Sequence, residues 1–153
     1  MPVVILENIR SCYNVWNIIR TADAMDFDVV ISWYTPTPWE NASIIKTSLW
    51  AEKNIKIYNF YNPKKAIDFS KNNYWNIIAS EITNKWKTLK NYFWTRNYKD
   101  IWIVFGNEIS WLLPETLNLV DDIVFIPMRW KKSSLNVSQA CAIFMRDFAI
   151  YNN

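Results

Sequence analysis

Apolar residues fall into short uninterrupted runs that alternate with amphipathic segments along the whole chain. Runs of about four to eight apolar residues predict buried strands, whereas apolar positions that recur every three or four residues predict helices. The predicted strands are Val3–Leu6, Asp28–Ser32, Ile55–Phe60, Trp75–Ser80, Ile101–Phe105 and Ile123–Ile126. The predicted helices are one capped by Asn14 that extends to about Met25, a short one that carries Ile44, Ile45 and Leu49, one from Pro63 to about Lys71, Pro114–Val120, and Leu135–Tyr151.

The order of these elements predicts the fold class. Strands that are apolar throughout and alternate with helices are typical of a parallel sheet covered on both faces. We therefore expect one α/β domain over residues 1–153, built on a mostly parallel six-stranded sheet flanked by helices. Residues Glu81–Lys99 are polar and aromatic, and we expect them to form a long loop with one helical turn. Ligands of such sheets bind beyond the carboxyl ends of the strands.

Composition removes several kinds of chemistry. The 153 residues include no histidine, which excludes histidine triads, imidazole bases and the commonest zinc ligand. Cys12 and Cys141 stand far apart without metal-ligand spacing, so we expect reduced thiols and no metal site.

No apolar run approaches the roughly 18 residues of a membrane helix, and the N-terminus lacks the basic start of a signal peptide, so we expect a cytoplasmic protein. The net charge of +3 is compatible with RNA binding.

Three segments carry candidate chemistry. Ile126–Ala140 (IPMRWKKSSLNVSQA) runs from a strand end through a basic loop to a helix start, where ligands often bind in α/β sheets. Ile103–Glu115 (IVFGNEISWLLPE) has a glycine at a strand end, where the missing Cβ lets the backbone approach a ligand; an ordinary strand-to-helix turn is the alternative. Asn14–Ala24 (NVWNIIRTADA) carries Asn14 and Arg20 on one helix, about 120° apart around its axis. By themselves these two residues predict a helix cap and a surface ion pair.

In this order along the chain, the three segments resemble the three motifs of the SpoU, or TrmH-like, RNA 2′-O-ribose methyltransferases, which belong to the knotted SPOUT class. The resemblance covers essentially the whole chain. It implies a deep C-terminal trefoil knot, S-adenosylmethionine as the cofactor, and RNA as the partner. It also implies a homodimer in which the substrate lies across two subunits, so that Arg20 of one subunit meets the cofactor of the other.

The resemblance further implies which residues surround the cofactor. In the family, the second and third motifs wrap S-adenosylmethionine largely through backbone groups. The residues expected to line the cofactor in this chain are Ser80, Gly106, Ile126, Met128, Ser134 and Leu135.

For catalysis, the resemblance implies that Arg20 is the principal residue and that Asn14 orients the site. A guanidinium remains protonated near neutral pH. We therefore expect Arg20 to bind the neighbouring phosphate and to stabilise the developing alkoxide, rather than to accept a proton. Glu108 is expected to hold Arg20 or a motif loop in place, whereas Ser134 and Asn136 are expected to donate hydrogen bonds to ribose or phosphate.

The expected reaction is transfer of a methyl group from S-adenosylmethionine to a ribose 2′-hydroxyl of RNA. We favour tRNA over rRNA, because the chain shows no added N-terminal substrate-binding module and no long basic tail. Lys131 and Lys132 are expected to contact phosphate, with a solvated loop as the alternative. The competing function is a non-catalytic RNA-binding or assembly protein that keeps the knotted fold. A small-molecule nucleotide-binding domain ranks last, because no glycine-rich phosphate loop is present.

One glycine and ten tryptophans make an abnormal composition, since average usage predicts about 11 glycines. We hypothesise that UGA codons that mean glycine in the source, as in some bacterial lineages, were translated as tryptophan; a naturally tryptophan-rich protein is the alternative. Where the backbone needs a positive φ or close ligand approach, an indole ring should clash. We therefore expect the chain as written to fold or bind cofactor poorly, and a glycine-restored chain to do both well. The positions concerned are Trp16, Trp111 and Trp130 at family glycines, and Trp33, Trp39 and Trp50 in predicted turns or helix ends.

Overall fold

The computed structural model describes residues 1–37, 51–72, 76–82, 87–95, 100–107, 109–129, 131 and 133–151. Its strands are β1 Val3–Glu7, β2 Asp28–Ser32, β3 Ile57–Phe60, β4 Asn76–Ser80, β5 Lys87–Thr88, β6 Ile101–Phe105 and β7 Asp122–Phe125. Its helices are α1 Cys12–Ala24, α2 Pro63–Asn72, α3 Leu89–Thr95, α4 Pro114–Leu119 and α5 Val137–Tyr151, with a short 3₁₀ turn at Ala51–Lys53. The predicted helix that carries Ile44, Ile45 and Leu49 lies outside the described residues.

The strands form one sheet in the order β3-β2-β1-β6-β4-β7-β5. Every ladder between the described strands is parallel, which confirms the α/β class and the parallel sheet flanked by helices. The predicted number of six strands was wrong, because the described residues form a sheet of seven. The trefoil knot stays a prediction.

The seventh strand and a further helix, β5 and α3, lie in the segment that was expected to be a long loop. Lys87 and Thr88 pair with β7, and α3 follows at once. Leu89, Tyr92 and Phe93 of α3 are buried, and their spacing of three and four places them on one side of a helix. The lysines interspersed among these apolar residues made the segment look solvated. Of the rest of the predicted loop, only residues 81 and 82 are described.

Both faces of the sheet are covered, which is why the strands are apolar throughout. Along β1, Val4 and Leu6 belong to the core that contains residues of α1 and α5, whereas Val3 and Ile5 belong to the core that contains residues of α2. Such alternation is expected of a strand buried on both sides. In the described part of the chain, no helix is long and apolar enough to cross a membrane.

Helices α1 and α5 do not begin as predicted. Ser11, not Asn14, caps α1, because the Ser11 side chain accepts the backbone N–H of Asn14 at 3.3 Å. Asn14 therefore lies inside the first turn and its own side chain is available for another contact. Helix α5 begins at Val137 rather than Leu135, since Asn136 Oδ1 accepts the backbone N–H of Ser138 at 2.9 Å.

Candidate active site at the carboxyl ends of the strands

A cavity of about 110 Å³ lies where β4, β6 and β7 end and where the chain enters α5. Its walls are mainly apolar, with polar groups from the strand ends and from the segment before α5. The apolar side chains that line it include Phe105, Phe125, Val137 and Ala140. The cavity therefore combines an apolar wall with a few polar groups, as sites for small ligands usually do.

All six residues expected to surround the cofactor line this single cavity. They come from four separate parts of the chain: Ser80, Gly106, Ile126 and Met128, and Ser134 and Leu135. Their contact with a cofactor stays a prediction. The fold nevertheless brings residues that are up to 55 positions apart in the sequence to one place.

Glycine is the only residue type whose side chain fits at position 106. A Cβ added there would lie 2.7 Å from the backbone nitrogen of Leu112 and 2.7 Å from the carbonyl carbon of Trp111. Real Cβ atoms do not approach backbone atoms so closely. The φ of Gly106 is not positive, so close approach rather than a left-handed backbone requires the glycine.

The loop that follows Gly106 is folded onto the strand ends by Asn107. Its side-chain oxygen accepts the backbone N–H groups of Ile109 at 2.7 Å and Ser110 at 3.2 Å. Its side-chain nitrogen donates to the carbonyl of Asn8, just beyond β1, at 2.9 Å. One buried side chain thus turns the loop and attaches it to a neighbouring strand end.

Two buried carboxylates hold the next part of the same loop. Glu81 Oε2 accepts the backbone N–H of Leu112 at 3.3 Å, and Glu7 Oε1 accepts the adjacent N–H of Leu113 at 2.8 Å. Glu7 Oε2 also accepts the hydroxyl of Thr116 at 2.6 Å. Burial raises the pKa of both carboxyls, and these hydrogen bonds only partly oppose the shift. The loop is therefore fixed to the ends of β1 and β4.

Replacing Glu7 by Gln should make stability less dependent on pH. Between the ordinary carboxyl pKa of 4.5 and the raised folded-state pKa, the folded protein holds a proton that the unfolded chain has lost. The free energy of unfolding therefore falls as pH rises through this window. Glu7→Gln is isosteric and neutral at every pH, so its free energy of unfolding should fall less than that of the unmodified chain. Urea unfolding at several pH values from about 4 to 8 checks this. Parallel curves for the two proteins would contradict it.

Asn14 and Asn136, two residues assigned to catalysis, meet directly. Asn136 Nδ2 donates to Asn14 Oδ1 at 3.1 Å across 122 positions of sequence. The oxygen of the same Asn136 side chain accepts the hydroxyl of Ser138 at 2.7 Å. Asn14 is buried, and this hydrogen bond holds its side chain against the start of α5. The pair connects α1 to the start of α5, next to the cavity-lining residue Leu135.

Arg20 is not brought to the cavity of its own chain. It is exposed on α1, six residues and about 9 Å along the helix axis from Asn14, and it is absent from the cavity lining. It forms no hydrogen bond or ion pair with another residue in the described part of the chain. Glu108, its expected partner, lies outside the described residues, as does Lys132. Lys131 is exposed.

The cavity also contains residues that the sequence alone did not single out for cofactor binding. Glu81, Asn107 and Trp111 all line it. The available signal was position, because Glu81 follows β4 directly and Asn107 follows Gly106. A carboxylate immediately after a buried parallel strand is a reasonable candidate for such an edge.

Comparison with known proteins decides the family. The sequence profile of the SpoU rRNA Methylase family matches residues 1–146. This chain belongs to that family. The tRNA (guanosine(18)-2′-O)-methyltransferase of Aquifex aeolicus is 28% identical over 145 residues, which cover 94% of this chain and 66% of that protein. A Borreliella burgdorferi protein named as an uncharacterized tRNA/rRNA methyltransferase is 27% identical over 147 residues, which cover 94% of this chain and 61% of that protein. The SpoU-family chain thus spans less than two thirds of the length of these curated relatives.

Solved structures agree on the fold. The SpoU methyltransferase AviRb from Streptomyces viridochromogenes superimposes with a TM-score of 0.87 at 18% identity, covering 99% of this chain and 60% of that one. A structure described as giving insight into the 2-OH methylation of C/U34 on tRNA superimposes with a TM-score of 0.83 at 16% identity, covering 99% of this chain and 95% of that one. AviRb has also been solved with the cofactor AdoMet.

Two tryptophans of this SpoU-family chain adopt a backbone conformation that favours glycine. Trp33 has a φ of 59° and Trp111 a φ of 60°, both in the left-handed region. Trp16 differs, because it lies within α1 and is buried in the core, so the clash expected there is not found. The tryptophans at positions 39, 50 and 130 lie outside the described residues. A positive φ is a conformation that glycine adopts more readily than tryptophan, and the recoding hypothesis itself stays a prediction.

Replacing Trp111 by Gly should stabilise the SpoU-family chain by up to about 1 kcal/mol, because relief of the left-handed conformation outweighs the extra freedom of glycine in the unfolded state. Removal of the ring should also strengthen cofactor binding, since Trp111 lines the cavity. Urea unfolding and calorimetric titration measure the two effects.

Trp111→Ala is the matched control, because it removes the ring but keeps the backbone conformation. Equal stabilisation by Ala and Gly would show that the backbone is not the cause. Trp16→Gly should have the opposite effect and destabilise by about 3–5 kcal/mol, because it empties a core position.

Proposed function

We propose that this chain transfers a methyl group from S-adenosylmethionine to a ribose 2′-hydroxyl of RNA. The observation that carries the proposal is the cavity at the strand ends. It gathers residues of the second and third motifs beside Gly106, whose position has no room for a Cβ. Membership of the SpoU family supplies the reaction class. Residues 1–153 act as one domain in this proposal, with the family's trefoil knot, and the enzyme works in the cytoplasm.

The lining of the cavity matches the chemistry of S-adenosylmethionine. Its aromatic and aliphatic wall suits the flat adenine ring, and the absent Cβ of Gly106 lets the backbone of Trp111 and Leu112 pack against the end of β6 at the cavity wall. Ser80 and Ser134 provide hydroxyl groups at the edge. Glu81 lines the same cavity with a carboxylate that complements the positive charge of a sulfonium or an ammonium group. AviRb, which shares the fold, binds AdoMet.

S-adenosylmethionine supplies the electrophilic methyl group, and the chain must make the ribose hydroxyl reactive. Arg20 binds the adjacent phosphate and stabilises the negative charge that develops on the 2′-oxygen. Asn14 and Asn136 hold the first and third motifs together through their hydrogen bond. Ser134 and Asn136 position ribose or phosphate, and correct positioning provides much of the acceleration.

Arg20 acts from a second copy of the chain. Its exposure and its absence from the cavity of its own chain support a homodimer in which each cavity is completed by Arg20 of the other subunit. Glu108 orients this Arg20 or a motif loop, and Lys131 and Lys132 contact phosphate. A catalytic residue placed on the far subunit makes the site incomplete in a monomer.

tRNA is the favoured substrate. The Aquifex aeolicus relative is named for a tRNA, and so is the structure that this chain covers almost fully. The test is transfer of labelled methyl groups from S-adenosylmethionine to total tRNA and, separately, to rRNA, with Arg20→Ala as the control variant. We expect label in tRNA that the variant abolishes. Label in neither pool, from a folded protein that binds the cofactor, would overturn the proposal.

A non-catalytic RNA-binding protein is the second candidate. The observation that favours it is Trp111, whose ring lines the cavity where the family has glycine. If the chain as written and its Trp111→Gly variant both fail to bind S-adenosylmethionine but still bind RNA, this candidate replaces the enzyme.

A further inference from the structure

A group of four aromatic rings, three of them exposed, lies at the ends of β2 and β3. Trp33, Tyr34, Phe60 and Tyr61, called here the aromatic platform, line an open hollow of about 440 Å³ together with Asn59. Tyr34 is 68% exposed and Tyr61 is 82% exposed. The rings of Trp33 and Tyr34 are stacked, with centroids 5.3 Å apart and an angle of 29° between planes. Neither tyrosine contributes to the core.

The aromatic platform is fixed to the sheet. The backbone N–H of Trp33 donates to the carbonyl of Phe60 at 3.4 Å, which joins the ends of β2 and β3. The hydroxyl of Thr35 donates to the carbonyl of Leu6 at 3.1 Å and accepts the backbone N–H of Ile9 at 2.9 Å. The exposed rings are therefore carried by a backbone that is bonded to β1, so they are presented in a defined place.

This place is the same edge of the sheet that carries the cavity. The strand order β3-β2-β1-β6 separates the end of β2 from the end of β6 by two strand spacings. At about 4.8 Å per spacing, this is roughly 10 Å, and the end of β3 is roughly 15 Å away. When a ribose lies at the cavity, the nucleotides that flank it are long enough to reach the aromatic platform.

Positive charges accompany the aromatic platform. Lys65 lies in the first turn of α2, four residues after Tyr61, and Arg10 lies in the loop after β1. Both are exposed, and neither forms an ion pair within the described residues, whereas Lys64 pairs with Asp68. Exposed aromatic rings close to basic side chains are typical of surfaces that bind single-stranded nucleic acid, because bases stack on the rings and phosphates bind the cations.

We propose that the aromatic platform stacks unpaired bases of the substrate RNA beside the methylated nucleotide, with Lys65 and Arg10 contacting the backbone phosphates. The proposal rests on the proposed function, since it defines the substrate as RNA that is single-stranded at and around its target. Tyr34 and Tyr61 carry it, so it holds whether position 33 is tryptophan or glycine. Because protein interfaces are also rich in tyrosine and arginine, RNA affinity and oligomeric state are both measured in the test.

The test compares Tyr34→Ala and Tyr61→Ala with Tyr34→Phe and Tyr61→Phe. Phenylalanine keeps the stacking ring and alanine removes it. The probe is a labelled single-stranded oligoribonucleotide of about 12 nucleotides, followed by fluorescence anisotropy. Each Ala variant should bind about 5- to 150-fold more weakly, and each Phe variant should bind as the unmodified chain does. Lys65→Gln should reduce the salt dependence by about one counterion, whereas the tyrosine variants should leave it unchanged.

Several outcomes would overturn the proposal: no binding of the probe by the unmodified chain, or equal affinity of the Ala and Phe variants. Loss of dimer in the Ala variants by sedimentation, with unchanged RNA affinity, would make the platform a protein interface instead. Far-UV circular dichroism and urea unfolding, measured on every variant, show whether the fold is intact.

Methyl transfer on the same variants separates this proposal from the proposed function. Ring-dependent RNA binding without methyl transfer by the unmodified chain would leave the platform standing and reject the enzyme. Methyl transfer with the same KM for RNA in the Ala variants would leave the enzyme standing and reject the platform.

Discussion

Replacing Arg20 by alanine is expected to lower the rate of methyl transfer by roughly 10²–10³-fold, the usual effect of removing one group that stabilises transition-state charge. The free energy of unfolding should change by no more than about 0.5 kcal/mol, because the side chain is exposed and alanine favours helix. Single-turnover kinetics and urea unfolding measure the two quantities on the same protein.

Two further variants make the result specific. Arg20→Lys keeps the charge but loses the planar guanidinium, so it should recover only part of the rate. Arg146→Ala removes another exposed arginine, on α5, and should leave the rate unchanged. An Arg20→Ala protein that is stable and fully active would remove Arg20 from the catalytic group.

Mixing experiments determine which subunit supplies Arg20. A mixture of Arg20→Ala with a variant that cannot bind the cofactor forms heterodimers in which only one site can combine a sound cavity with Arg20. If Arg20 acts across the dimer, an equal mixture should recover about a quarter of the unmodified activity, because half of the dimers are mixed and each has one working site. No recovery would place Arg20 and the cavity on the same subunit.

Gly106→Ala should weaken S-adenosylmethionine binding by at least about 10-fold and destabilise the protein by about 1–3 kcal/mol. The added Cβ would meet backbone atoms of Trp111 and Leu112, which cannot rotate away as a side chain could. The loop must then move and lose its hydrogen bonds to Glu81 and Glu7. Calorimetric titration and urea unfolding measure both effects.

Ser110→Ala is the matched control for this change, because Ser110 is exposed in the same loop. It should bind the cofactor as the unmodified chain does. Ala140→Leu fills the cavity from α5 and provides a second cofactor-site variant if Gly106→Ala does not fold. Normal cofactor affinity in a folded Gly106→Ala protein would show that the loop after β6 does not approach the ligand.

The short helix α3 illustrates where pattern failed. Its buried residues Leu89, Tyr92 and Phe93 have helical spacing, but lysines stand among them and the segment is short. A strand of two residues, β5, carries no periodicity at all and exists only because β7 offers a partner. Local sequence cannot predict such an element, since its hydrogen bonds are all made to a distant part of the chain.

The glycine and tryptophan positions show a second limit. The count of residues raised the hypothesis of recoded glycine, but it could not say which tryptophans are strained. The backbone separates them, since Trp33 and Trp111 have positive φ and Trp16 is an ordinary buried helical residue. A dihedral angle depends on how the chain turns in three dimensions.

The sequence by itself determined the α/β class and most strands and helices, because apolar periodicity is a local property of the chain. The six residues that gather around the cavity came from the resemblance of its ordered motifs to the SpoU family. Only the tertiary structure decided the strand order, the clamp of Glu7 and Glu81 on the loop after Gly106, and the contact between Asn14 and Asn136. It also placed exposed tyrosines on the same sheet edge as the cavity. These are contacts between residues far apart in sequence, and no local pattern encodes which distant backbone or side chain a given group will meet.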